Sequence, residues 1–477
     1  MIADYVRPPG RTTTVIADVT VVDVVNREHL PHRDIHLDGD RITAIEQTSR
    51  VRGDTVVDAA GRFAVPGFID AHVHVLNTPD DAAASYALML ANGIVGFRQM
   101  SGSPALLEQR ARGELPAALG APDLLATSGA LLTPLNANSA DVATREVRAQ
   151  RTQGADFIKA GMASRDGFFA ALAEAQRLGL PLAGHLPADV DPREAARRGM
   201  ACIEHLGPGA TVYTAASNDE DRLRAEPQRV IRMPSRRIPG VERVATALIS
   251  RLVVNPATLT SKSAAAQLRD ADATYDDGKA HELAELFVKH RTWQCPTLIR
   301  LHTQQFPGAP EHSTDPNLRY IAPDEIVRWR KSLRRFDKLP SQTREVLQAH
   351  WAAQLRMTKV FADAGVPMMA GTDANGAGWV VPGFALHQEF DLLASAGVEA
   401  ARILEMATSA PAEFLGVPAR GRIEAGGTAD LVLLQHNPLD DHHALHQITG
   451  VLRAGHYWDR SELDAIVDRV AAQPRTR

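Results

Sequence analysis

Short apolar segments rich in Val, Ile and Thr, separated by polar turns, fill residues 13–65. Such segments are typical of β-strands. The turn LDGDR, residues 37–41, contains an Asp-Gly pair, which tolerates the positive φ of a tight hairpin. The pattern therefore predicts a small β unit over residues 1–65.

From residue 66 the hydrophobic pattern changes, because short apolar runs now alternate with amphipathic, Ala-rich stretches. This alternation predicts βα units arranged around a parallel sheet. Eight units over this length indicate the α/β class and a (β/α)8 TIM barrel spanning residues 66–410. The eight candidate strands are residues 66–74, 93–100, 122–127, 155–160, 180–185, 200–205, 292–298 and 366–373.

Two long insertions with helical character interrupt the regular spacing, at residues 208–290 and 299–350. Loops of this length on the carboxyl side of a barrel usually act as lids or substrate walls, and a peripheral helical decoration is the alternative. Strand-like segments return at residues 421–440 and 448–458. We therefore expect residues 411–477 to fold back beside the N-terminal β unit and to end in a frayed tail.

Composition and charge narrow the class of protein. The 477 residues are 44% hydrophobic with a net charge of −5, which suffices for a large core and predicts no nucleic-acid partner. A basic cluster in residues 228–243 is expected to be a solvated loop or helix face. With only Cys202 and Cys295, the sequence has neither a disulfide framework nor a CxxC metal knuckle.

The first residues lack the apolar segment of a signal peptide, and no stretch approaches the ~20 apolar residues of a membrane span. We therefore expect a cytoplasmic protein with no membrane partner.

The candidate catalytic and metal-binding side chains lie at the ends of the predicted strands, where barrel enzymes place their catalytic groups. Each strand-end residue alone has an ordinary explanation: two histidines one residue apart share a strand face, a lysine extends to solvent, and an aspartate caps a turn. Together they would converge on one barrel mouth, where a metal centre satisfies all of them. The set is His72, His74, Lys159, His185, His205 and Asp373.

These motifs carry a family resemblance. GFIDAHVH at the first barrel strand, then strand-end Lys, His and His, then GTDANG, resemble the amidohydrolase superfamily of metal-dependent hydrolases. The subgroup most similar is the imidazolonepropionase-like and prolidase-like one. The flanking segments AVPGFID and GRIEAGGTADLVLL are similar to that superfamily's connections between its barrel and a small β-sandwich built from both termini. The resemblance covers nearly the whole chain apart from the two insertions.

The resemblance implies two divalent metal ions, with Zn as the first expectation and Mn, Fe or Co as alternatives. It places one ion on His72, His74 and Asp373, and the other on His185 and His205. It also implies that CO2 carboxylates the Lys159 amine to a carbamate that bridges both ions. The chemistry of the residue agrees, because an ammonium group beside two cations would be repelled whereas a carbamate is an anionic ligand.

By this resemblance the activity is hydrolysis of an amide C–N bond of a small molecule, such as a dipeptide or an N-acyl amino acid. A metal-bridging hydroxide would attack, and Asp373 would be the general base and then the general acid. Homo-oligomerisation is also implied. Candidates for substrate binding after the strand ends are Arg98, Arg165, Tyr213, Arg300 and His302.

Other interpretations stay open. A mononuclear deaminase or imidazolonepropionase-like cyclic amidase would use His205 catalytically and needs no bridging lysine. A lactonase or esterase would use the same site, and a non-catalytic scaffold would be expected to have lost ligand positions. The segments GFRQMSGS and GALLTPLNANS differ from the threonine-rich or glycine-histidine patterns expected of the family, which argues against a plain dipeptidase.

Overall fold

The computed structural model describes residues 13–49, 53–76, 79–226 and 254–473. The basic cluster predicted in residues 228–243 lies outside these ranges. Within them the chain is of mixed α/β class, with strands concentrated at both ends of the sequence and βα units between them. The strands are β1 Thr13–Asp23, β2 Glu28–Asp38, β3 Arg41–Gln47, β4 Thr55–Asp58, β5 Phe63–Pro66, β6 Phe68–Val73, β7 Ile94–Gln99, β8 Asp123–Thr127, β9 Ile158–Ala160, β10 Leu182–Gly184, β11 Cys202–Glu204, β12 Trp293–Cys295, β13 Leu431–Leu434, β14 Ile448–Arg453 and β15 His456–Asp459.

The α-helices follow most of the parallel strands and make up much of both insertions. They are α1 Pro79–Ala91, α2 Pro104–Ala111, α3 Ala140–Thr152, α4 Arg165–Arg177, α5 Pro192–Arg197, α6 Thr211–Ala215, α7 Glu220–Ala225, α8 Lys262–Ala273, α9 Asp277–His290, α10 Leu298–Gln305, α11 Pro310–Ser313, α12 Pro323–Phe336, α13 Ser341–Asp363, α14 Phe384–Ser395, α15 Ala400–Ala407, α16 Ser409–Phe414 and α17 Arg460–Ala472. Short 3-10 helices lie at Pro256–Leu259, Pro316–Tyr320, Pro418–Arg420 and His442–His446.

One sheet joins the two ends of the sequence, in the order β15-β14-β13-β5-β1-β2-β3, with β4 paired to β1. The junction is antiparallel, with Leu431 opposite Pro66 and Leu433 opposite Ala64. Alternate residues of these strands face a separate apolar cluster that includes Val19, Leu431 and Leu433. The sheet thus has its own core, distinct from that of the βα units.

The first seven predicted barrel strands are present as β6 to β12, and all of their pairs are parallel. They form two sheets, β6-β7-β8 and β9-β10-β11-β12, which an isolated bridge between Ser128 and Phe157 links. Their apolar side chains pack against the surrounding helices in the largest core cluster. The arrangement positions every carboxyl strand end on one side.

The eighth predicted strand, residues 366–373, differs from the prediction because it makes only isolated bridges, to β12 at Met368 and to β6 at Ala374. Pro367 has no N–H to donate, and Asp373 has a φ of 62°, so a regular ladder cannot run along this segment. Its backbone still bonds both neighbours, since Met369 N donates to Gln294 O and Ala71 N to Ala370 O. The segment therefore lies between β12 and β6 without being a regular strand.

Both insertions are largely helical where the structure describes them. Within residues 208–290 the last helix, α9, leads into β12, and within 299–350 the chain begins in α10 and ends in α13. Helix α10 packs against α14. Over the ranges given above, no helix is both long and apolar enough to cross a membrane.

Candidate metal centre

The strand ends bring most of the predicted ligands together. His72 lies in β6 and His74 just beyond it, Lys159 lies in β9, and His205 follows β11 directly. The left-handed backbone at His205 and Asp373, with φ of 57° and 62°, turns each side chain at the point where its segment ends. Two backbone bonds hold these turns, from Asp373 N to His72 O at 2.7 Å and from His205 N to Cys295 O at 2.9 Å.

His72, His74 and Asp373 converge on one point. Oδ1 of Asp373 lies 2.8 Å from Nε2 of His74 and 3.2 Å from Nε2 of His72. Although both nitrogens approach it, Oδ1 has no hydrogen-bond partner in the part of the chain that the structure describes. The Asp373 carboxylate and His72 are fully buried. Two imidazole nitrogens around an unpartnered carboxylate oxygen are the donor set of a divalent metal ion.

Lys159 lies in the neighbouring sheet, and its side chain reaches His72. Its Nζ lies 3.0 Å from Nε2 of His72, and the residue is 3% exposed. Burial lowers the pKa of Lys159 to about 7, because the apolar surroundings disfavour the charged amine. Burial therefore favours the neutral form of this amine.

His205 lies next to His72, and His185 lies next to His205. The ring of His205 is 4.7 Å from that of His72 and 5.1 Å from that of His185, centre to centre. Nε2 of His185 is buried and has no hydrogen bond to any described residue. A metal ion bound next to Nε2 of His185 would give this nitrogen a partner.

All four imidazoles favour the neutral form. Burial is the main cause that holds the pKa values of His72, His74, His185 and His205 well below the ordinary value, and nearby positive charges on Lys159 or Arg300 add to it. Neutral imidazole is the form that binds metal ions.

Arg300 is the one substrate-binding candidate whose contacts include the predicted ligands. Its Nη1 bonds Oδ2 of Asp373 and lies 3.3 Å from Nε2 of His205. Burial lowers the pKa of Arg300 to about 10, so the guanidinium stays charged at neutral pH. The charged guanidinium of Arg300, on helix α10, therefore lies beside Asp373 and His205.

The other candidates have different partners. Arg165 donates to Oε2 of Glu194 at 2.6 Å, and the Tyr213 ring packs 4.3 Å from that of His350. Nδ1 of His302 lies 3.2 Å from Nε2 of His312. Their assignment to substrate binding stays a prediction.

Three buried or half-buried polar residues around the ligands were not anticipated as partners of these histidines. Nδ1 of His72 lies 2.8 Å from Glu204, Nδ1 of His74 is 2.7 Å from Oγ of Ser101, and Nδ1 of His205 is 2.5 Å from Oγ1 of Thr297. Each of the three imidazoles thus uses Nδ1 for an outer partner and turns Nε2 toward the others. Arg98, proposed for substrate binding, instead donates to Glu204 at 2.8 Å beneath the site.

Comparisons with known proteins give a family match to part of the chain and structural likenesses to nearly all of it. Residues 344–457, which include Asp373, match the family model described as "Amidohydrolase family". An adenine deaminase of Chelativorans sp. (strain BNC1) is 30% identical over 94 residues, which is 19% of this chain and 16% of the deaminase. This chain therefore aligns with only a minor part of that relative.

Two solved structures are similar over nearly the whole chain. A bottromycin amidohydrolase has a TM-score of 0.70 at 23% identity, over 99% of this chain and 93% of its own. A prolidase complexed with N-methylphosphonate-L-proline has a TM-score of 0.60 at 19% identity, over 94% and 100%. These likenesses show a shared fold, which in the described part of this chain combines parallel βα units with a separate sheet. Residues 344–457 thus match the amidohydrolase family model, and nearly the whole chain shares its fold with an amidohydrolase and a prolidase.

Proposed function

We propose that this protein is a metal-dependent hydrolase that cleaves an amide C–N bond in a small molecule, such as a dipeptide or an N-acyl amino acid. The observation that carries the proposal is the convergence of His72 and His74 on the buried, unpartnered oxygen of Asp373, with the His205 ring and the buried amine of Lys159 next to His72. The names of the structural neighbours, an amidohydrolase and a prolidase, favour an amide as the bond cleaved.

The residues present fit a pair of divalent ions. His72, His74 and Asp373 would hold one ion, and His185 and His205 the other, with Zn the first expectation and Mn, Fe or Co as alternatives. The fit rests on the chemistry of this donor set, on the unpartnered Oδ1 of Asp373 and on the unpartnered Nε2 of His185. Both atoms are buried acceptors, for which a cation is a suitable partner.

Lys159 would bridge the two ions as a carbamate. Its neutral amine would attack the carbon of CO2 to form the new C–N bond, and the nitrogen would release one proton to solvent. The low pKa of Lys159, about 7 because of burial, makes this neutral amine available. Nζ lies 3.0 Å from Nε2 of His72, which is close enough for the carbamate to join the predicted ligands.

Bound divalent ions would supply Lewis acidity, which lowers the pKa of water and polarises a carbonyl group. Asp373 would take the proton of the attacking water and return it to the nitrogen of the leaving amine, as general base and then general acid. Arg300 would bind a carboxylate of the substrate through its guanidinium, once that group exchanges Asp373 for the substrate. Burial around these groups would exclude bulk water.

Hydrolysis of a panel of dipeptides, N-acyl amino acids and their esters, with and without a chelator, tests this proposal. We expect release of the amine from at least one amide class, loss of activity after chelation, and recovery when Zn or Mn is added. Turnover that persists in the chelated, metal-free protein would refute the proposal.

A mononuclear deaminase is the second candidate. The local identity to an adenine deaminase favours it, and so do the ligand atoms of His72, His205 and Asp373, which lie within 4.8 Å of one another and could hold a single ion. Release of ammonia from adenine or a related base, with one metal per chain, would select this activity over amide hydrolysis.

A further inference from the structure

Two opposite charges lie completely buried beneath the predicted ligands. Arg98 in β7 and Glu204 in β11 are both 0% exposed, and Nη2 of Arg98 donates to Oε1 of Glu204 over 2.8 Å. Removing such a pair from water is expensive, so buried ion pairs contribute little net stability. A role in arranging other groups is therefore the more informative explanation to test.

Arg98 also reaches β6, the strand that contains His72 and ends just before His74. Its Nε donates to the carbonyl of Ala71, the residue before His72, at 2.6 Å. The rings of Phe157 and Phe414 lie against its guanidinium, with centroids 5.6 and 5.1 Å away. The side chain is thereby held in one orientation, and it connects β6, β7 and β11.

Glu204 connects Arg98 to the imidazole of His72. Its second oxygen, Oε2, lies 2.8 Å from Nδ1 of His72. A carboxylate accepts hydrogen bonds and does not donate them, so this contact favours a proton on Nδ1 and a lone pair on Nε2. Oδ1 of Asp373 lies farther away, 3.2 Å from Nε2, and makes no hydrogen bond with it. Nζ of Lys159 lies 3.0 Å from Nε2 and can donate a hydrogen bond to that lone pair, which is compatible with this tautomer.

We propose that Arg98 and Glu204 are positioning residues for the metal centre, which fix His72 in the Nδ1–H tautomer with its Nε2 lone pair directed at the ion. This inference deepens the proposed function and rests on it. The segment GFRQMSGS, which departs from the expected family pattern, supplies Arg98. The strand motif CIEH supplies Glu204, immediately before the predicted ligand His205.

The variant Glu204→Gln separates positioning from packing, because it keeps the shape of the side chain. An amide has one acceptor oxygen, but Arg98 and His72 both need an acceptor. If the oxygen serves Arg98, the amide NH2 faces Nδ1 of His72, and the imidazole must move its proton to Nε2. That proton would point at the site and block coordination.

The test reads the tautomer directly, by two-dimensional 15N NMR of histidine-labelled, metal-free protein, with His72 assigned by comparison with His72→Asn. Zn affinity is measured by competition with a chelator, and the melting temperature of the metal-free protein is measured as well. Asp430→Asn is the matched control. Asp430 is a buried carboxylate in the terminal sheet region, 2% exposed, that bonds Arg420 at 2.8 Å and Arg453 at 3.0 Å.

We expect wild-type His72 to carry its proton on Nδ1, and Glu204→Gln to shift it toward Nε2 with Zn affinity lower by roughly 10–100-fold. Asp430→Asn should lower the melting temperature without changing either quantity. An Nδ1 proton and unchanged Zn affinity in Glu204→Gln would overturn the inference.

The wild-type tautomer decides the matter even where Glu204→Gln does not fold, since a proton on Nε2 contradicts the inference outright. Failure of the proposed function has a different signature. In that case wild-type protein would bind no metal, while the tautomer of His72 in the metal-free protein would remain readable.

Discussion

The hydroxyl of Thr297 lies 2.5 Å from Nδ1 of His205 and donates its own hydrogen to the carbonyl of Pro296, 2.8 Å away. Because the hydroxyl hydrogen is used in this way, its oxygen accepts from Nδ1–H of His205. Nε2 of His205 then carries the lone pair and faces the other ligands. Thr297 therefore orients one ligand of the second predicted ion, although it lies in another segment of the chain.

Replacement of this hydroxyl by a methyl group should weaken the second metal site. We expect Thr297→Val, which keeps the β-branched shape, to lower the affinity for the second ion by about tenfold, since partners of ligating histidines contribute that much. Calorimetric titration of metal-free protein with Zn measures it. Thr358→Val is the control, because Thr358 is equally buried but bonds only within α13, to Gln354 O at 2.9 Å. Equal losses in the two variants would remove this role from Thr297.

Asp373→Asn should separate metal binding from turnover. The amide keeps an oxygen donor but cannot take a proton from water, so we expect kcat to fall by about 10²–10⁴-fold. Metal content should stay largely intact. Kinetics on the best amide substrate, with metal analysis of the same preparation, checks both. Retained turnover would exclude Asp373 as the proton carrier.

Arg300→Met should affect substrates according to their charge. Hydrogen bonds to charged groups contribute about 1.5–3 kcal/mol, so KM for a dipeptide with a free carboxylate should rise roughly 10–100-fold. A dipeptide with an amidated C-terminus should lose much less. Steady-state kinetics on this matched pair of substrates makes the comparison. An equal fall in kcat for both substrates would instead indicate that Arg300 acts through Asp373, which it contacts in this structure.

A buried carboxyl group predicts how stability changes with pH. Glu389 in α14 is 0% exposed, and its Oε2 accepts from the backbone N–H of Ile299 at 2.7 Å. Burial raises the pKa of Glu389 from 4.5 to about 8. Between these two values the folded protein holds a proton that the unfolded chain has lost.

The free energy of unfolding should therefore fall as pH rises from about 4.5 to 8, by up to about 1.4 kcal/mol per pH unit from this group alone. Glu389→Gln has no proton to lose, so its stability should depend less steeply on pH over the same interval. Urea denaturation of both proteins at several pH values measures the two slopes. Identical slopes would mean that Glu389 titrates as it does in the unfolded chain.

Much of the parallel-strand pattern could be predicted from hydrophobicity alone. Seven barrel strands lie within the predicted ranges, because a strand buried on both faces is a short, nearly continuous apolar run. The eighth could not be delimited in this way. Its apolar run is real, but Pro367 and the left-handed Asp373 prevent a regular ladder, and only the neighbouring strands reveal where it lies.

Lys159, His205 and Asp373 could be grouped with the first histidine pair because all of them lie at predicted strand ends, although some three hundred residues of sequence separate them. Glu204 was not predicted, because it lies within the predicted strand, residues 200–205, and not at its end. A signal was nevertheless present, since ACIEH and GFRQM each contain one charge inside an apolar strand. Two opposite charges in neighbouring buried strands would be costly unless they paired.

Residues outside the strands were harder to assign. Arg300 and Thr297 reach the ligands because α10 packs over the strand ends, whereas His302, two residues along the same helix as Arg300, packs against the ring of Phe306. The helical period separates such neighbours onto different faces, but the face that meets the site depends on tertiary packing. The face of α10 that meets the site therefore could not be predicted from the sequence of the helix itself.

The central claim is a two-metal centre bridged by a modified Lys159. Elemental analysis of protein purified without chelator tests it most directly, on wild type, Lys159→Ala and the exposed-lysine control Lys262→Ala. We predict about two divalent ions per chain in wild type and in Lys262→Ala, and fewer in Lys159→Ala, with partial recovery of activity when a short carboxylic acid is added. One ion per chain in all three proteins, or none, would contradict the account.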